Sequence, residues 1–384
     1  MNFQFTMQTN VLSEPGVAKK SGFYLKEYGA KNVLIVTDQA IVNAGLLDGI
    51  YESLKQEGLN ITVFDHVNPN PKNTEVETVA KRAREDSVDG LIAVGGGSVM
   101  DFAKGVGVLL THEGSIKDWE GDFTLERNIT PLICIPTTVG TGSEVTWIAV
   151  ITDTARNFKM GIVDPKVAPR MALLDSDLIR TLPPSVSAST GMDALTHAIE
   201  AYTSRFASPM TDALAYKAIV MIKENIEDLV SDSKNQEAGQ AMLNASMMAG
   251  IAFNNSNVGS VHCLSEAIGG YYDLPHGVLN SIFLPFVFRR NITADWSRHA
   301  EIAYLLGADK NVTSEEEAAL EGFNLIMKLR EKLNLPKFSE LKKVSPEDFK
   351  HLAKVAKETP MDESNAKEIS EEEYLEIIEE AFEE

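Results

Sequence analysis

Short apolar runs alternate with helical patterns through the first 180 residues of this 384-residue chain. Buried-strand patterns cover residues 32–37, 61–64, 90–94 and 131–136, and helical patterns include residues 45–56 and a helix that is opened by residues 95–101 and runs to about Leu110. Uninterrupted apolar strands separated by helices are typical of a parallel sheet that is covered on both faces. We therefore predict an N-terminal α/β domain built on a parallel sheet.

Three glycines and a serine, residues 95–98, follow the strand at 90–94 and open a helix. Such a loop lets backbone N–H groups face a phosphate at the helix N-terminus, although a tight strand–helix turn needs the same residues for conformation alone. Asp38 follows the first strand, where it can accept hydrogen bonds from a ribose diol or simply cap a helix. Its charge would repel a 2′-phosphate, which favours NAD(H) over NADP(H).

Beyond residue 182 the apolar pattern becomes helical, with helices predicted at about 187–204, 210–230 and 236–253. We therefore expect two domains, 1–182 and 183–384, the second all-α, with a cleft between them. Asp193 and His197 are four residues apart in the first of these helices and share one face. No Lys or Arg occurs from residue 181 to 204, and a buried carboxylate needs a cation or a hydrogen bond. A metal ion or a purely structural contact would satisfy Asp193.

Two further histidines, His262 and His276, lie in an apolar segment, residues 235–288, that contains no Lys or Arg. One neutral imidazole in such surroundings is most often a hydrogen-bonded core residue. Three of them together with an isolated carboxylate favour a divalent-metal site instead, with Asp193, His197, His262 and His276 as its ligands. This donor set suits Fe²⁺ or Zn²⁺.

The composition excludes several classes of partner. A net charge of −21 and a pI near 4.8 argue against binding to nucleic acid or to an anionic membrane. Cys134 and Cys263 both lie in apolar runs, so no disulfide framework is indicated. The sequence shows neither a signal-peptide pattern nor an apolar run of membrane-spanning length, and we expect a cytoplasmic protein.

Four motifs, in order along the chain, carry a resemblance to a known family: residues 95–98 followed by Asp101, residues 136–146, residues 191–202 and residues 273–277. With them the chain resembles the iron-containing (group III) alcohol dehydrogenases over essentially its whole length. The resemblance implies a dinucleotide-binding α/β domain and a helical domain, an architecture shared with dehydroquinate synthase. It also implies metal-assisted hydride transfer between a short-chain primary alcohol or diol and NAD(H).

The resemblance places the family's metal ligands on the four residues derived above, with Fe²⁺ as the expected metal and Zn²⁺ as the alternative. We expect a small alcohol or aldehyde as substrate and a homodimer or larger homo-oligomer. The family's cofactor contacts carry over to Asp38, Asn70, Gly96, Gly97, Ser98, Thr137, Thr138, Thr146 and Lys159.

One position departs from the family pattern. Many members of the family have another His four residues after the one that corresponds to His262, and this chain has Glu266 there. We predict Glu266 and His276 as catalytic residues, and Glu266 could ligate the metal, relay a proton or only hydrogen-bond within the fold. Our hypothesis is that it stands beside the nicotinamide, where its charge favours NAD⁺ over NADH.

Three other functions share parts of this pattern. A zinc-dependent polyol dehydrogenase of the glycerol dehydrogenase type has the same architecture. A cyclase of the dehydroquinate synthase kind needs a basic pocket for its anionic substrate, and the metal region of this chain is nearly free of Lys and Arg. A non-catalytic nucleotide-binding protein would bind NADH but show no turnover.

Overall fold

The structure, a computed structural model, describes residues 2–156, 158–311 and 314–384. The chain divides into two compact units, Met7–Leu182 and Pro183–Glu384, the second of which also includes the first residues up to Thr6. Thr6 is held in that helical unit by Asn255, whose Oδ1 accepts from the Thr6 N–H at 2.7 Å. Among the described residues, no helix is both long and apolar enough to cross a membrane.

The α/β unit contains five helices and nine strands within the described residues, besides short 3-10 turns. In chain order they are β1 Asn10–Ser13, α1 Ser21–Glu27, β2 Asn32–Val36, α2 Gln39–Asn43, α3 Asp48–Gln56, β3 Asn60–Phe64, α4 Asn73–Glu85, β4 Gly90–Gly95, α5 Gly97–Thr111, β5 Gly121–Asp122, β6 Leu132–Pro136, β7 Ile148–Asp153, β8 Phe158–Val163 and β9 Met171–Leu174.

The main sheet has six strands in the order β1-β9-β6-β4-β2-β3, and every neighbouring pair is parallel. Successive side chains of each central strand point to opposite faces, as the two-residue period of a strand requires. Leu34 and Val36 of β2 join one apolar core, which α4 and α5 cover. Val33 and Ile35 join the other, which α1 and α3 cover. The sheet is therefore buried on both sides, as the uninterrupted apolar strands predict.

Two features of this unit differ from the sequence prediction. The helix predicted over residues 45–56 begins at Asp48, because Gly45 lies in the left-handed region with φ 69°, where a helix cannot continue. The short helix α2 precedes it. A second sheet, in the order β5-β8-β7, was not predicted. Strand β5 has only two residues and β8 is interrupted by Lys159 and Gly161, whereas the apolar residues 148–151 of β7 are a strand signal that the prediction missed.

The described residues of the second unit form nine α-helices and several short 3-10 turns, and they contain no strand. They are α6 Pro184–Thr203, α7 Pro209–Ser231, α8 Gln236–Ser256, α9 Ser260–Tyr272, α10 His276–Asn291, α11 Trp296–Leu306, α12 Glu315–Lys332, α13 Phe349–Lys357 and α14 Glu371–Glu383. The predicted fold class, a parallel-sheet α/β unit followed by an all-α unit, is confirmed.

Helix α6 lies at the centre of the helical unit. It packs against α7, α8 and α10, and every residue from Gly191 to Tyr202 is buried. Two acids, Asp193 and Glu200, lie within this buried stretch. Burying a carboxylate is unfavourable unless it is hydrogen-bonded or paired with a cation. The partners of these two side chains therefore define the site described next.

Candidate active site

Asp193 and His197 face the same side of α6, one helical turn apart. Asp193 Oδ1 lies 4.0 Å from His197 Nε2, and both side chains are almost fully buried. The His197 ring stacks on Phe253 of α8 with ring centroids 4.3 Å apart. This apolar stacking fixes the imidazole plane, so that Nε2 is aimed towards Asp193.

The turn between α9 and α10 brings the other two histidines to the same place. His262 lies in the first turn of α9, and His276 is the first residue of α10. Between them Asp273 ends α9 in the left-handed conformation, with φ 54°. A Cβ on Gly277 would lie 2.7 Å from the backbone oxygen of Ser189 in α6. Glycine at this position therefore lets the start of α10 approach α6 closely enough to place His276 beside Asp193.

Asp193, His197, His262 and His276 each offer one ligand atom, and these atoms all lie within 4.8 Å of one another. His276 Nε2 is 3.6 Å from Asp193 Oδ1, and the His262 ring lies 4.7 Å from the His197 ring and 5.1 Å from the His276 ring. Three imidazole nitrogens and a carboxylate oxygen at this spacing fit a divalent cation such as Fe²⁺ or Zn²⁺. These four residues were candidates from the sequence, and the fold brings all of them together.

Glu200 was not identified from the sequence, although it is a second acid in the same apolar helix. Its Oε2 accepts hydrogen bonds from His262 Nδ1 at 2.5 Å and from the Gly259 N–H at 2.9 Å, and its Oε1 accepts from the Val261 N–H at 2.7 Å. It thus satisfies backbone donors at the start of α9 and also orients the His262 ring. A carboxylate on Nδ1 places the proton there and leaves Nε2 with the lone pair that a metal requires.

The charges in this cluster favour an ionised Asp193. Burial by itself raises the pKa of Asp193, but the neighbouring His197, His276 and His262 outweigh burial and hold the pKa below its usual value. Burial by itself lowers the pKa of His262, yet the charge and the hydrogen bond of Glu200 raise it above its usual value. Asp193 is therefore held as the carboxylate anion, which is the form that can ligate a cation.

Glu266 lies one turn beyond His262 on α9, as its spacing predicts. Its side chain is 27% exposed, and its Oε1 is 3.3 Å from His276 Nδ1, the ring nitrogen opposite the one that faces Asp193. The cluster of converging ligand atoms does not include Glu266. Glu266 therefore contacts the side of the His276 ring that faces away from Asp193, where a carboxylate can orient this ring.

Six of the nine predicted nucleotide contacts directly follow three neighbouring strands of the main sheet. Strands β2, β4 and β6 are neighbours and parallel, so the residues that follow them emerge side by side. Asp38 follows β2 and caps α2, since its Oδ1 accepts from the Ile41 N–H at 3.0 Å. The loop with Gly96, Gly97 and Ser98 follows β4, and Thr137 and Thr138 follow β6.

The glycine loop after β4 has the geometry of an anion cradle. Gly96 is the N-cap of α5, and no side chain caps the first turn of this 15-residue helix, so its free N–H groups can bind a phosphate. A Cβ on Gly97 would lie 2.9 Å from Thr141 Cγ2, so the loop after β6 packs directly on the cradle. These residues fit the diphosphate of a dinucleotide.

Lys104 was not identified from the sequence, and it ties these two loops together. Its side chain is fully buried in α5, and its Nζ donates to Ser143 Oγ at 2.8 Å, Thr146 Oγ1 at 3.2 Å and the carbonyl of Ile148 at 2.7 Å. Asp101 Oδ1, one turn earlier, lies 3.5 Å away and completes the network. The i, i+3 spacing of an acid and a base within an apolar helix is the signal that could have indicated it.

The other three predicted cofactor contacts lie outside the loops that follow β2, β4 and β6. Thr146 is buried, and its hydroxyl accepts from Lys104. Lys159 lies on β8 of the second sheet, opposite Thr152. Asn70 lies in the loop between β3 and α4 with φ 55°, a conformation that Asn tolerates better than most residues.

Comparison with known proteins accounts for both units. Residues 8–176 match the description "Iron-containing alcohol dehydrogenase", and residues 187–382 match "Fe-containing alcohol dehydrogenase family, C-terminal". The chain belongs to the iron-containing alcohol dehydrogenase family. The predicted family and the prediction of an enzyme are thereby confirmed.

Relatives within the iron-containing alcohol dehydrogenases align along nearly the whole chain. The NAD-dependent methanol dehydrogenase of Bacillus methanolicus is 37% identical over 367 residues, 96% of each chain. The 1,3-propanediol dehydrogenase of Citrobacter freundii is 37% identical over 370 residues, again 96% of each chain. A crystal structure of a 1,3-propanediol oxidoreductase superimposes with a TM-score of 0.97 at 36% identity and full coverage of both chains.

Proposed function

We propose that this protein is an NAD(H)-dependent alcohol dehydrogenase that uses a divalent metal, Fe²⁺ in the first instance, to interconvert short-chain primary alcohols or diols and their aldehydes. The observation that carries the proposal is the convergence of Asp193 and three histidines in the helical unit. The family and the names of the relatives, one of them NAD-dependent and one acting on 1,3-propanediol, support the reaction class.

The residues of the helical unit have defined tasks in this proposal. Asp193, His197, His262 and His276 hold the metal, and Glu200 keeps the proton of His262 on Nδ1. Phe253 covers one face of His197 and limits access of water. The chemistry that a bound divalent ion supplies is stabilisation of negative charge on an alcohol oxygen, while the nicotinamide supplies a hydride acceptor.

The residues of the α/β unit bind the dinucleotide in this proposal. The N–H groups at the start of α5, with Gly96, Gly97 and Ser98, bind the diphosphate. Asp38 uses Oδ1 to cap α2, and its second oxygen accepts no hydrogen bond from the described residues, which leaves it available to a ribose diol. Asn70, Thr137, Thr138, Thr146 and Lys159 complete the proposed contacts.

The direct test is a substrate panel with metal-reconstituted protein, in which the formation of NADH is measured. After anaerobic loading with Fe²⁺, we expect oxidation of 1,3-propanediol or 1-butanol, and loss of that activity with a strong chelator. Protein that binds NADH and Fe²⁺ but oxidises nothing in the panel would refute the proposal. Activity on glycerol alone, and with Zn²⁺ rather than Fe²⁺, would instead support the polyol dehydrogenase alternative. The cytoplasmic location and the homo-oligomeric assembly stay predictions, and light scattering tests the second.

Replacing Asp38 by glycine is expected to shift cofactor preference towards NADP(H). The wild-type carboxylate binds the ribose diol and repels a 2′-phosphate, and the variant loses both effects. The kcat/KM ratio for NADH over NADPH is therefore expected to fall by at least about tenfold. Steady-state kinetics with both cofactors measure this ratio, with Asp48→Gly, a change to another acid in the same unit, as the control. A wild-type enzyme that prefers NADPH would contradict the assignment.

Replacing Glu266 by glutamine is expected to weaken NAD⁺ binding more than NADH binding. Glutamine keeps the shape of the side chain and removes its negative charge. If Glu266 lies beside the nicotinamide, the variant therefore loses the electrostatic preference for the positively charged NAD⁺. We also expect the pH profile of alcohol oxidation to change. Fluorescence titration gives both affinities, and Glu237→Gln, an exposed acid on α8, serves as the control. If the affinity ratio and the profile both match wild type, Glu266 only orients His276.

A further inference from the structure

Asn280 touches three of the four candidate metal ligands. It lies on α10, one turn after His276, and is fully buried. Its Nδ2 is 2.6 Å from Asp193 Oδ1, 3.0 Å from His276 Nε2 and 3.2 Å from His262 Nε2. One amide group thus reaches the ligand atoms that α6, α9 and α10 contribute.

The bond to Asp193 is the important one of the three. Among the described residues, Asn280 is the only group that donates a hydrogen bond to the Asp193 carboxylate. A buried carboxylate depends on such a donor both for its solvation and for its direction. Glu200, by comparison, accepts from two backbone N–H groups and from His262.

The number of available hydrogens decides which contact can persist when a cation is bound. An amide nitrogen carries two hydrogens, and three acceptor atoms surround it here. A cation uses the single lone pair on Nε2 of each imidazole, whereas a carboxylate oxygen can bind a cation and still accept a hydrogen bond. The Asn280–Asp193 hydrogen bond is therefore compatible with an occupied metal centre.

The other end of the amide gives a second, independent observation. Asn280 Oδ1 is buried and has no hydrogen-bond partner among the described residues. The orientation of this side chain is therefore set by its nitrogen and by the ligand atoms that the nitrogen contacts, because nothing fixes the oxygen.

We propose that Asn280 is a positioning residue of the metal centre, whose amide holds the Asp193 carboxylate at the point on which the three imidazoles converge. This inference rests on the proposed function. It assigns to Asn280 a role in metal affinity, separate from any contact with substrate or nicotinamide. Partners that orient a metal ligand typically contribute about 10–100-fold in metal affinity.

Asn280→Leu tests the proposal, because leucine keeps the branched shape and removes the donor. Zn²⁺ affinity is measured by competition with a chromophoric chelator, and the rise in melting temperature with saturating Zn²⁺ is measured in parallel. We expect N280L to bind Zn²⁺ about 10–100-fold more weakly than wild type and to gain less from it in melting temperature. Ser281→Ala is the matched control: Ser281 is the next residue of α10, is also buried and, within the part of the chain that the structure describes, donates only to the Val278 carbonyl of its own helix.

Asn280→Ala, which adds no bulk, carries the same expectation and is read beside N280L. Wild-type Zn²⁺ affinity in N280L or N280A would overturn the role of Asn280 while leaving the proposed function intact. Failure of both variants to fold, with S281A folded, would also overturn it, because Asn280 would then be a packing residue. A wild-type protein that binds no Zn²⁺ or Fe²⁺ would instead refute the proposed function itself.

Discussion

Replacing His262 by alanine is expected to abolish alcohol oxidation while NADH binding is retained. The variant removes one of four converging ligands and the ring that lies between the His197 and His276 rings. A bound metal contributes several kcal/mol of charge stabilisation in the transition state, so kcat/KM is expected to fall by at least about a thousandfold. The glycine loop that we propose for the dinucleotide lies in the other unit, so the NADH dissociation constant is expected to change little.

A matched control separates the loss of a ligand from the loss of a buried ring. His299 is also buried in the helical unit, where its Nδ1 contacts the Asp295 carbonyl at 2.7 Å and its ring packs against Phe288. His299→Ala therefore removes a comparable side chain without removing a ligand. His276→Ala, at a more exposed position, is expected to behave as His262→Ala does. Metal content and NADH fluorescence are measured for all three, and unfolding of both ligand variants would favour a structural role for these histidines.

Replacing Glu200 by glutamine is expected to weaken both the metal centre and the fold. Glutamine has one acceptor oxygen where the carboxylate has two, so its NH₂ must replace either Oε2, which faces His262 Nδ1 and the Gly259 N–H, or Oε1, which faces the Val261 N–H. If it faces His262, the ring is driven to the tautomer with the proton on Nε2, where a metal cannot bind. If it faces Val261 instead, that buried N–H is left unsatisfied, which costs about 1–3 kcal/mol. We expect metal affinity to fall by about 10–100-fold.

The measurements are Zn²⁺ competition with a chelator and denaturant unfolding of chelator-treated protein. Asp362→Asn is the matched control, because Asp362 is a buried acid that also lies beside the start of α9, where it accepts from Tyr374 at 2.6 Å and contacts Ser260. We expect this control to lose stability but to keep its metal affinity. Equal Zn²⁺ affinities in wild type and E200Q would show that Glu200 supports the helix without influencing the site.

Local periodicity explains which parts of the fold could be predicted. The central strands of the main sheet are buried on both faces, so their sequences are continuous apolar runs that stand out from the rest of the chain. Strand β8 is interrupted by Lys159 and Gly161, and β5 has only two residues, so neither carries such a run; β7 does carry one, residues 148–151, which the prediction missed. Periodicity alone also placed the start of α3 too early, at residue 45 instead of Asp48, because one glycine in a left-handed conformation interrupts an otherwise helical pattern.

The metal-site candidates came from two kinds of signal. Asp193 and His197 share a helix face because four residues make about one turn, which is a local property. His262 and His276 were linked to them by an absence, since their segment contains no Lys or Arg that could pair with a buried acid. A segment without Lys or Arg indicates that its buried polar side chains need some other partner. One metal ion can serve the carboxylate and all three imidazoles at once.

The sequence by itself determined the alternation of strands and helices, the buried acid–histidine pair and the chemical type of the site, because these depend on helix and strand periods and on burial. Only the tertiary structure decided which side chains hold the ligands. Glu200 meets His262 across 62 residues, and Asn280 meets Asp193 across 87. Such contacts depend on how α6, α9 and α10 pack, and that packing rests on close approaches such as Gly277 against Ser189. A hydrogen bond acts over about 3 Å, a precision that spacing along the chain cannot supply between separate helices.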